Sequence, residues 1–219
     1  MNLFHSVFKT TVLWKCSLNF FAISCQKIIF AIYTAKRKYC FMDNFLDLLK
    51  RRRTSRLFTG EPVDKDVVCD IMKAALMSPS GRRINPWEFI LVEDKEMLKA
   101  LSVSKEHGAG LLEGAAMAVV VIGDTQKTDV WIEDCSIATI IMQLAAEAAG
   151  LGSCWVQIRR RYDAQGGLAE DNVRSLLGIP ANYAVLSIVA LGHKARETKP
   201  FEEENMEWDK IHIGGFGEK

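Results

Sequence analysis

The sequence has no pair of cysteines at CxxC spacing, and its six cysteines and four histidines form no cluster with the spacing of metal ligands. We therefore predict no metal site and expect the thiols to stay reduced, as they are in the cytoplasm. No Walker A or G-x-S-x-G sequence occurs either, so nothing indicates a P-loop NTPase or a serine hydrolase of the nucleophile-elbow type.

Acidic residues are absent from the first forty-one positions, which carry six lysines and arginines and also lack glycine and proline. Because the whole chain has a net charge of +1, the rest of it carries 1 − 6 = −5. A mildly acidic body argues against a dedicated nucleic-acid-binding protein. Nucleic-acid binding through Arg51–Arg53 and Arg159–Arg161 stays open as an alternative, and it predicts steeply salt-dependent binding.

No uninterrupted apolar run in this N-terminal segment reaches the ~18 residues that a membrane helix needs, because Lys15 and Lys27 interrupt it. Met42 then opens a sequence that is typical of a globular domain. Our hypothesis is that residues 1–41 derive from an upstream start codon and that the working domain is 42–219. The alternative is a weak membrane or export segment, and apart from that case we expect a cytoplasmic protein without membrane association.

Apolar periodicity in the body alternates between helical and strand patterns. An α+β domain with one central sheet is the expected fold. The predicted helices are 43–53, 64–78, 96–102, 134–149 and 168–177, and the predicted strands are 87–92, 118–123, 153–156 and 185–191. The polar tail from Lys199 has four apolar residues that we expect to anchor it: Trp208, Ile211, Ile213 and Phe216.

The helix predicted over 134–149 is apolar nearly all round, since Glu147 is the only charge between Ile137 and Ala149. We expect Asp134 to cap its N-terminus and Gly150 to end it. A helix of this kind is buried on all sides. In a chain of this length, we expect a second subunit to provide part of that burial.

Three arginines and a threonine crowd into the segment Arg52-Arg53-Thr54-Ser55-Arg56, directly after a predicted helix. Guanidinium groups donate in a fork and stay protonated, so they suit a phosphate and a ring edge that carries several acceptors. The same residues could also form a solvated basic helix end, and the segment alone does not decide between the two.

Four motifs in order over residues 42 to about 200 resemble the FMN-dependent nitroreductase family. An R-x-[ST]-x-[RK]-x-F segment is present as Arg52–Phe58, and a small-residue turn as SPSGRRINPW from Ser78 to Trp87. A G-L-G-x-x-W sequence follows as Gly150–Trp155, and a strand leads into Gly192-His193-Lys194-Ala195-Arg196. Each motif is weak by itself, but the ordered set is specific.

The resemblance implies an α+β sandwich with a central, mostly antiparallel sheet flanked by helices, in an intertwined homodimer whose active sites are shared. It implies FMN as cofactor, NADH or NADPH as electron donor, and a ping-pong transfer of hydride to nitroaromatics, quinones or similar flat acceptors. No catalytic acid or base is expected, because the flavin carries the chemistry. The implied cofactor-binding residues are Arg52, Arg53, Thr54, Arg56, Pro79, Ser80, Gly81, Asn85, Gln157, Lys194 and Arg196.

Within this set the resemblance assigns Lys194 and Arg196 to the phosphate, the turn at 79–85 to the partner subunit's flavin, and Gln157 to N5 or the pyrimidine edge. The chain departs from the family pattern at Arg83, Asn85 and the turn Val156–Arg159. The turn at Val156–Arg159 keeps open a nicotinamide-independent relative that dehalogenates, dehydrogenates or fragments its substrate. A membrane-anchored, non-enzymatic carrier of flavin or another ligand, with residues 1–41 as its anchor, is a further alternative.

Overall fold

The computed structural model describes residues 40–218, so the predictions about the start-codon, membrane or export role of the N-terminal segment lie almost entirely outside it. The described residues form two units, Phe41–Glu203 and the tail from Glu204. None of the helices within the described residues is long and apolar enough to cross a membrane.

Five α-helices and four strands form the first unit, and most begin or end where the sequence provides a cap. The helices are α1 (Cys40–Arg51), α2 (Lys65–Leu76), α3 (Lys95–Ser102), α4 (Trp131–Ala148) and α5 (Ala169–Leu177). Asp64 and Asp94 cap α2 and α3 by accepting backbone N–H groups, and Gly178 ends α5 in the left-handed conformation. The bounds of α3 and α5 agree with prediction to within one residue, as does the end of α4, whereas α2 ends two residues before its predicted end.

The strands β1 (Trp87–Val92), β2 (Met117–Asp124), β3 (Gly152–Gln157) and β4 (Tyr183–Gly192) form one antiparallel sheet in the order β1-β2-β4-β3. Every residue of β2 is buried, as its charge-free sequence predicts. The sheet has two distinct ends. We call them the Gly152 end, where β3 begins and β4 ends, and the Gln157 end, where β3 ends and β1 begins.

Each face of the sheet has its own apolar core, because neighbouring residues of β2 point to opposite faces. Val119 and Val121 face α2 and α4, whereas Val120 and Ile122 face α3 and α5. The layers are therefore helices, sheet and helices, and the predicted α+β sandwich with an antiparallel sheet is confirmed.

One expectation about packing is wrong, and the free thiols differ in their burial. Cys135 and Cys154 are buried free thiols, and burial raises the pKa of Cys135 to about 12, but Cys69 is exposed. The apolar residues that were expected to anchor the tail are instead at least one-third exposed, with Phe216 at 95%. Apolar character alone does not ensure burial in a short irregular segment.

Candidate active site

The arginine segment (residues 52–58) runs along the Gly152 end of the sheet and is held there by backbone hydrogen bonds. The N–H of Ser55 donates to the carbonyl of Ser153 at 2.9 Å, and Phe58 forms a bridge with Lys194. The two basic motifs, about 140 residues apart in sequence, thus become neighbours because one segment pairs with both β3 and the chain that leaves β4.

A small pocket of about 90 Å³ opens between these segments. It is lined by Thr54, Ser55, Arg56, Leu57, Arg196 and Thr198. Three predicted cofactor residues therefore meet in one place: Thr54, Arg56 and Arg196. Pockets for whole organic ligands usually measure about 300–1,000 Å³, so this one suits a single compact group such as a phosphate.

The donors around this pocket fit a phosphate. Arg56 and Arg196 are exposed, and neither has a carboxylate within 4 Å among the side chains that the structure describes. Ser55 is 2% exposed, and its hydroxyl oxygen has no hydrogen-bond partner within the same part of the chain. A buried hydroxyl without a partner is costly, and an anion in the pocket would supply the missing acceptor. Sequence reasoning missed Ser55 and Thr198.

Gly152 is glycine because the arginine segment passes too close for any side chain. A Cβ atom there would lie 2.7 Å from Ser55 Cβ and 2.9 Å from Lys194 Cγ. The second glycine of the G-L-G-x-x-W motif therefore sets the distance between β3 and the pocket.

Lys194 does not line the pocket, although it was predicted to bind phosphate. Its ammonium group lies 3.0 Å from Glu147 Oε1 of α4, and the two side chains are only 9% and 6% exposed. A charge that already has a buried partner contributes less to an incoming anion, so Lys194 supports the pocket from behind. The sequence could not show this ion pair, because Glu147 precedes Lys194 by 47 residues.

Arg52 and Arg53 are half-buried and also do not line the pocket. The N–H of Arg52 continues the hydrogen bonding of α1 by donating to Leu48, and the guanidinium of Arg53 lies 5.8 Å from the ring of Phe201. Of the four predicted ligands in this segment, Thr54 and Arg56 reach the pocket and these two arginines do not.

The turn that precedes β1 is tightly built and strained. The Ser80 hydroxyl bonds to Asn85 Oδ1 at 2.6 Å and accepts the N–H of Asn85 at 2.9 Å. Arg82, Arg83 and Asn85 all adopt positive φ angles near 50–58°, a conformation that costs energy for residues other than glycine. Pro79 is exposed at the start of this turn.

Asp134 holds the turn in place, and its predicted role as a helix cap is wrong. The helix α4 begins three residues earlier, at Trp131, so Asp134 lies within its first turn. Its carboxylate, which is 3% exposed, accepts the N–H of Gly81 at 2.8 Å. That N–H is therefore not available to a ligand, and Gly81 contributes shape to the turn.

Gln157 ends β3 with its side chain fixed on both sides. Its Oε1 accepts from Trp155 Nε1 at 2.8 Å, and its Nε2 donates to the carbonyl of Arg159 at 3.0 Å. The main-chain carbonyl of Gln157 accepts from Lys105 Nζ at 2.9 Å, a neighbour that the sequence did not reveal. Burial and the charge of Arg161 lower the pKa of Lys105.

One chain does not bring all the predicted residues together. Ser153, beside the pocket, and Gln157 are four residues apart along β3, which corresponds to about 13 Å. The turn also lies at the Gln157 end, but next to β1, the opposite edge of the sheet.

Apolar side chains also remain uncovered on α4. Ile137 and Ile140 are 37% and 42% exposed, and Ile141 and Leu144 are half-buried on the same stripe. The helix was expected to be buried on all sides, and within a single chain it is not.

The family of this protein follows from comparison with known proteins. A model of the nitroreductase family matches residues 49–106 and 95–193. A relative from Archaeoglobus fulgidus, named "Putative NADH dehydrogenase/NAD(P)H nitroreductase", is 35% identical over 176 residues, which cover 78% of this chain and 98% of the relative. The chain belongs to the nitroreductase family and is an oxidoreductase.

Solved structures agree with this assignment. An FMN-dependent nitroreductase from Clostridium difficile superimposes with a TM-score of 0.76 and 40% identity, over 78% of this chain and 99% of the other. A shorter stretch is similar to a protein named for a different activity. Rat iodotyrosine deiodinase 1 is 42% identical over 55 residues, which cover 25% of this chain and 19% of that protein.

Proposed function

We propose that the protein is an FMN-dependent oxidoreductase that transfers hydride from NADH or NADPH to nitroaromatics, quinones or similar flat acceptors. The observation that carries this proposal is the pocket at the Gly152 end. A space of phosphate size is surrounded there by two guanidiniums, a threonine hydroxyl and a buried serine hydroxyl, and among residues 44–218 neither the guanidiniums nor the serine hydroxyl has a partner. The chain's similarity to FMN-dependent nitroreductases supports the same choice.

In this proposal Thr54, Arg56 and Arg196 hold the phosphate, with Ser55 as a further hydroxyl ligand. Each guanidinium neutralises part of the phosphate charge and donates hydrogen bonds to it in a fork. Arg52, Arg53 and Lys194 fix the pocket by packing and ion pairing from behind. FMN, when bound, supplies the two-electron chemistry.

The flavin ring would lie toward Gln157, whose side-chain amide is hydrogen-bonded to the indole N–H of Trp155 and to the main-chain carbonyl of Arg159. A side chain that is fixed before the ligand arrives loses little conformational entropy on binding, so it orients the ring at low cost. Pro79, Ser80, Gly81 and Asn85 would cover the ring from the second subunit, because in one chain their turn lies at the other edge of the sheet.

We further propose a homodimer in the cytoplasm. The exposed isoleucines of α4, together with Phe45 and Leu49 of α1, which are 44% and 40% exposed, are the apolar surfaces that a second copy would cover. A shared site would suit a ping-pong mechanism, in which donor and acceptor use the same open space in turn.

The experiment is an absorbance spectrum of the purified full-length protein, followed by anaerobic addition of NADH and then NADPH. We expect a yellow protein that bleaches on addition, and the faster donor identifies the physiological nicotinamide. A colourless protein that cannot be reconstituted with FMN would contradict the proposal.

A second candidate is a dehalogenase that does not use nicotinamide, which the 55-residue similarity to iodotyrosine deiodinase favours. It predicts a yellow protein that neither nicotinamide reduces, but that dithionite does. Release of iodide from an iodinated phenol by the dithionite-reduced protein would then favour the dehalogenase.

A further inference from the structure

A second group of positive charges surrounds Gln157, away from the phosphate pocket. We call it the distal cationic cluster, and it consists of Lys105, Arg159, Arg160 and Arg161. The backbone holds it in place, because the N–H groups of Arg159 and Arg161 donate to Leu186 at 3.1 Å and to Ile158 at 3.0 Å. Arg160 has a positive φ of 55°, so the chain turns sharply within the cluster.

The side chains flank the end of β3. Lys105 bonds to the carbonyl of Gln157, and Arg161 is close enough to Lys105 for its charge to contribute to the lowered pKa of that amine. The guanidinium of Arg159 lies 6.0 Å from the ring of Trp131. The ammonium group of Lys105 therefore contacts the residue that we propose to lie beside the flavin ring, with the charge of Arg161 close to it and Arg159 two residues further along the chain.

Within the described part of the chain, these charges have no carboxylate partner. Among residues 44–218, none of the four has an acidic partner within 4 Å, whereas Lys73, Arg174 and Lys194 each have one. The acid that follows them in sequence, Asp163, is already engaged by Asn172 Nδ2 and the N–H of Gly167, both at 2.8 Å. Like charges held together without a counter-charge destabilise the fold, and an anionic ligand would relieve that repulsion.

The FMN phosphate does not satisfy this cluster. It would lie at Thr54, Arg56 and Arg196, in a pocket that none of the four cluster residues lines, and Ser153 beside that pocket is about 13 Å along β3 from Gln157. The anion must therefore belong to a second molecule, and the molecules that visit a flavin ring are the electron donor and the electron acceptor.

We propose that the distal cationic cluster binds a carboxylate or phosphate group carried by the donor or the acceptor, and so selects anionic substrates. This inference rests on the proposed flavin site. Two sources share the chemistry: a phosphate of the nicotinamide nucleotide, above all the 2′-phosphate that distinguishes NADPH from NADH, and an acid group on the acceptor.

The test compares matched substrates on the holoprotein at constant ionic strength. The acceptor arm uses 4-nitrobenzoate and neutral 4-nitrobenzyl alcohol, and the donor arm uses NADPH and NADH. The double variant Arg159→Gln/Arg161→Gln removes two charges, and Lys99→Gln/Lys95→Gln removes two from nearby α3. Binding of each acceptor and of NADP⁺ and NAD⁺ to the oxidised protein is measured from the flavin spectrum, alongside KM and kcat.

We expect the arginine variant to weaken binding and raise KM at least tenfold for 4-nitrobenzoate, for NADPH, or for both, with kcat and the neutral partner changed less than twofold. The arm that responds identifies the source of the anion. Equal losses for the charged and neutral members of each pair, or the same selective loss in the lysine control, would overturn the proposal.

The inference and the proposed function fail in different ways. If the protein binds no flavin, the proposed function is wrong, and calorimetric titration of the same protein with 4-nitrobenzoate and inorganic phosphate still decides whether the cluster binds anions. Binding that is lost in the arginine variant supports the cluster. No binding, or equally tight and steeply salt-dependent binding of duplex DNA, would overturn it, the latter because the cluster would then be a general polyanion surface.

Discussion

The two ends of the sheet differ in how complete they are within one chain. At the Gly152 end, segments from three parts of the sequence converge on a pocket whose donors, glycine and buried ion pair are all in place. At the Gln157 end, the turn and Gln157 are each rigid but lie on opposite edges of the sheet. The difference teaches that one chain can complete the pocket that we propose for the phosphate, while the residues that we propose for the flavin ring remain apart.

The largest loss of stability at the Gly152 end should follow from breaking the ion pair behind the pocket. Lys194→Met leaves the carboxylate of Glu147 buried without a partner, which typically costs about 3–5 kcal/mol of folding free energy. Denaturant unfolding of the variant and the wild type measures this loss. The double variant Lys194→Met/Glu147→Gln should recover much of the loss, and an undiminished loss would mean that the pair is not the cause.

Arg56→Ala should weaken FMN binding next most strongly, by about 1.5–3 kcal/mol, because it removes a charge-assisted hydrogen bond to the phosphate. Fluorescence titration of the flavin-free protein measures the change. Riboflavin has no phosphate, so its affinity should hardly move, and Arg51→Ala, outside the pocket, is the control. A parallel loss for FMN and riboflavin would remove Arg56 from the phosphate site.

Gly152→Ala tests the close approach at the same end. Its methyl group would meet Ser55 and Lys194 at less than 3 Å, so we expect a loss of about 1–3 kcal/mol in stability together with weaker FMN binding. Gly110→Ala is the matched control, since a Cβ there would meet nothing within 4 Å. Equal behaviour of the two variants in thermal unfolding would contradict the packing account.

The smallest expected effect concerns the turn at the other end. Asp134→Ala leaves the N–H of Gly81 without its acceptor, and because Gly81 is half-buried we expect a loss of about 1 kcal/mol. Asp134→Asn keeps an acceptor oxygen and should lose less. Hydrogen exchange of the Gly81 amide would check this directly, and slow exchange in the alanine variant would exclude Asp134 as its partner.

Much of the Gly152 end could be predicted from the sequence, because its residues belong to short motifs. Thr54, Arg56 and Arg196, which the motifs predict as cofactor ligands, line one pocket, and their role as ligands stays a prediction. The burial of Lys194 could not be predicted, since it depends on Glu147 in a distant helix. Ser55 was overlooked because its role arises from a missing partner, which only the packed structure reveals.

The Gln157 end was less predictable for a different reason. The motifs indicated the turn and Gln157 separately, but the strand order β1-β2-β4-β3 puts them on opposite edges, and strand order is not encoded in any one motif. Asp134 was assigned to a cap because acids are common there, whereas its bond to Gly81 spans 53 residues.

The central claim is that the unfinished end is completed by a second subunit, and subunit complementation tests it most directly. Arg56→Ala/Arg196→Ala damages the phosphate pocket, and Gly81→Val displaces the turn, because a side chain there meets Val130. Each variant alone should have little NAD(P)H-dependent nitroreductase activity.

After the two variants are mixed and their subunits exchanged, shared sites predict hybrid dimers with one intact site. Random exchange makes half of the dimers hybrid, so about a quarter of the wild-type activity should return. No recovery, despite hybrids that are demonstrated by mass spectrometry, would mean that each chain builds its whole site alone, and it would contradict the account.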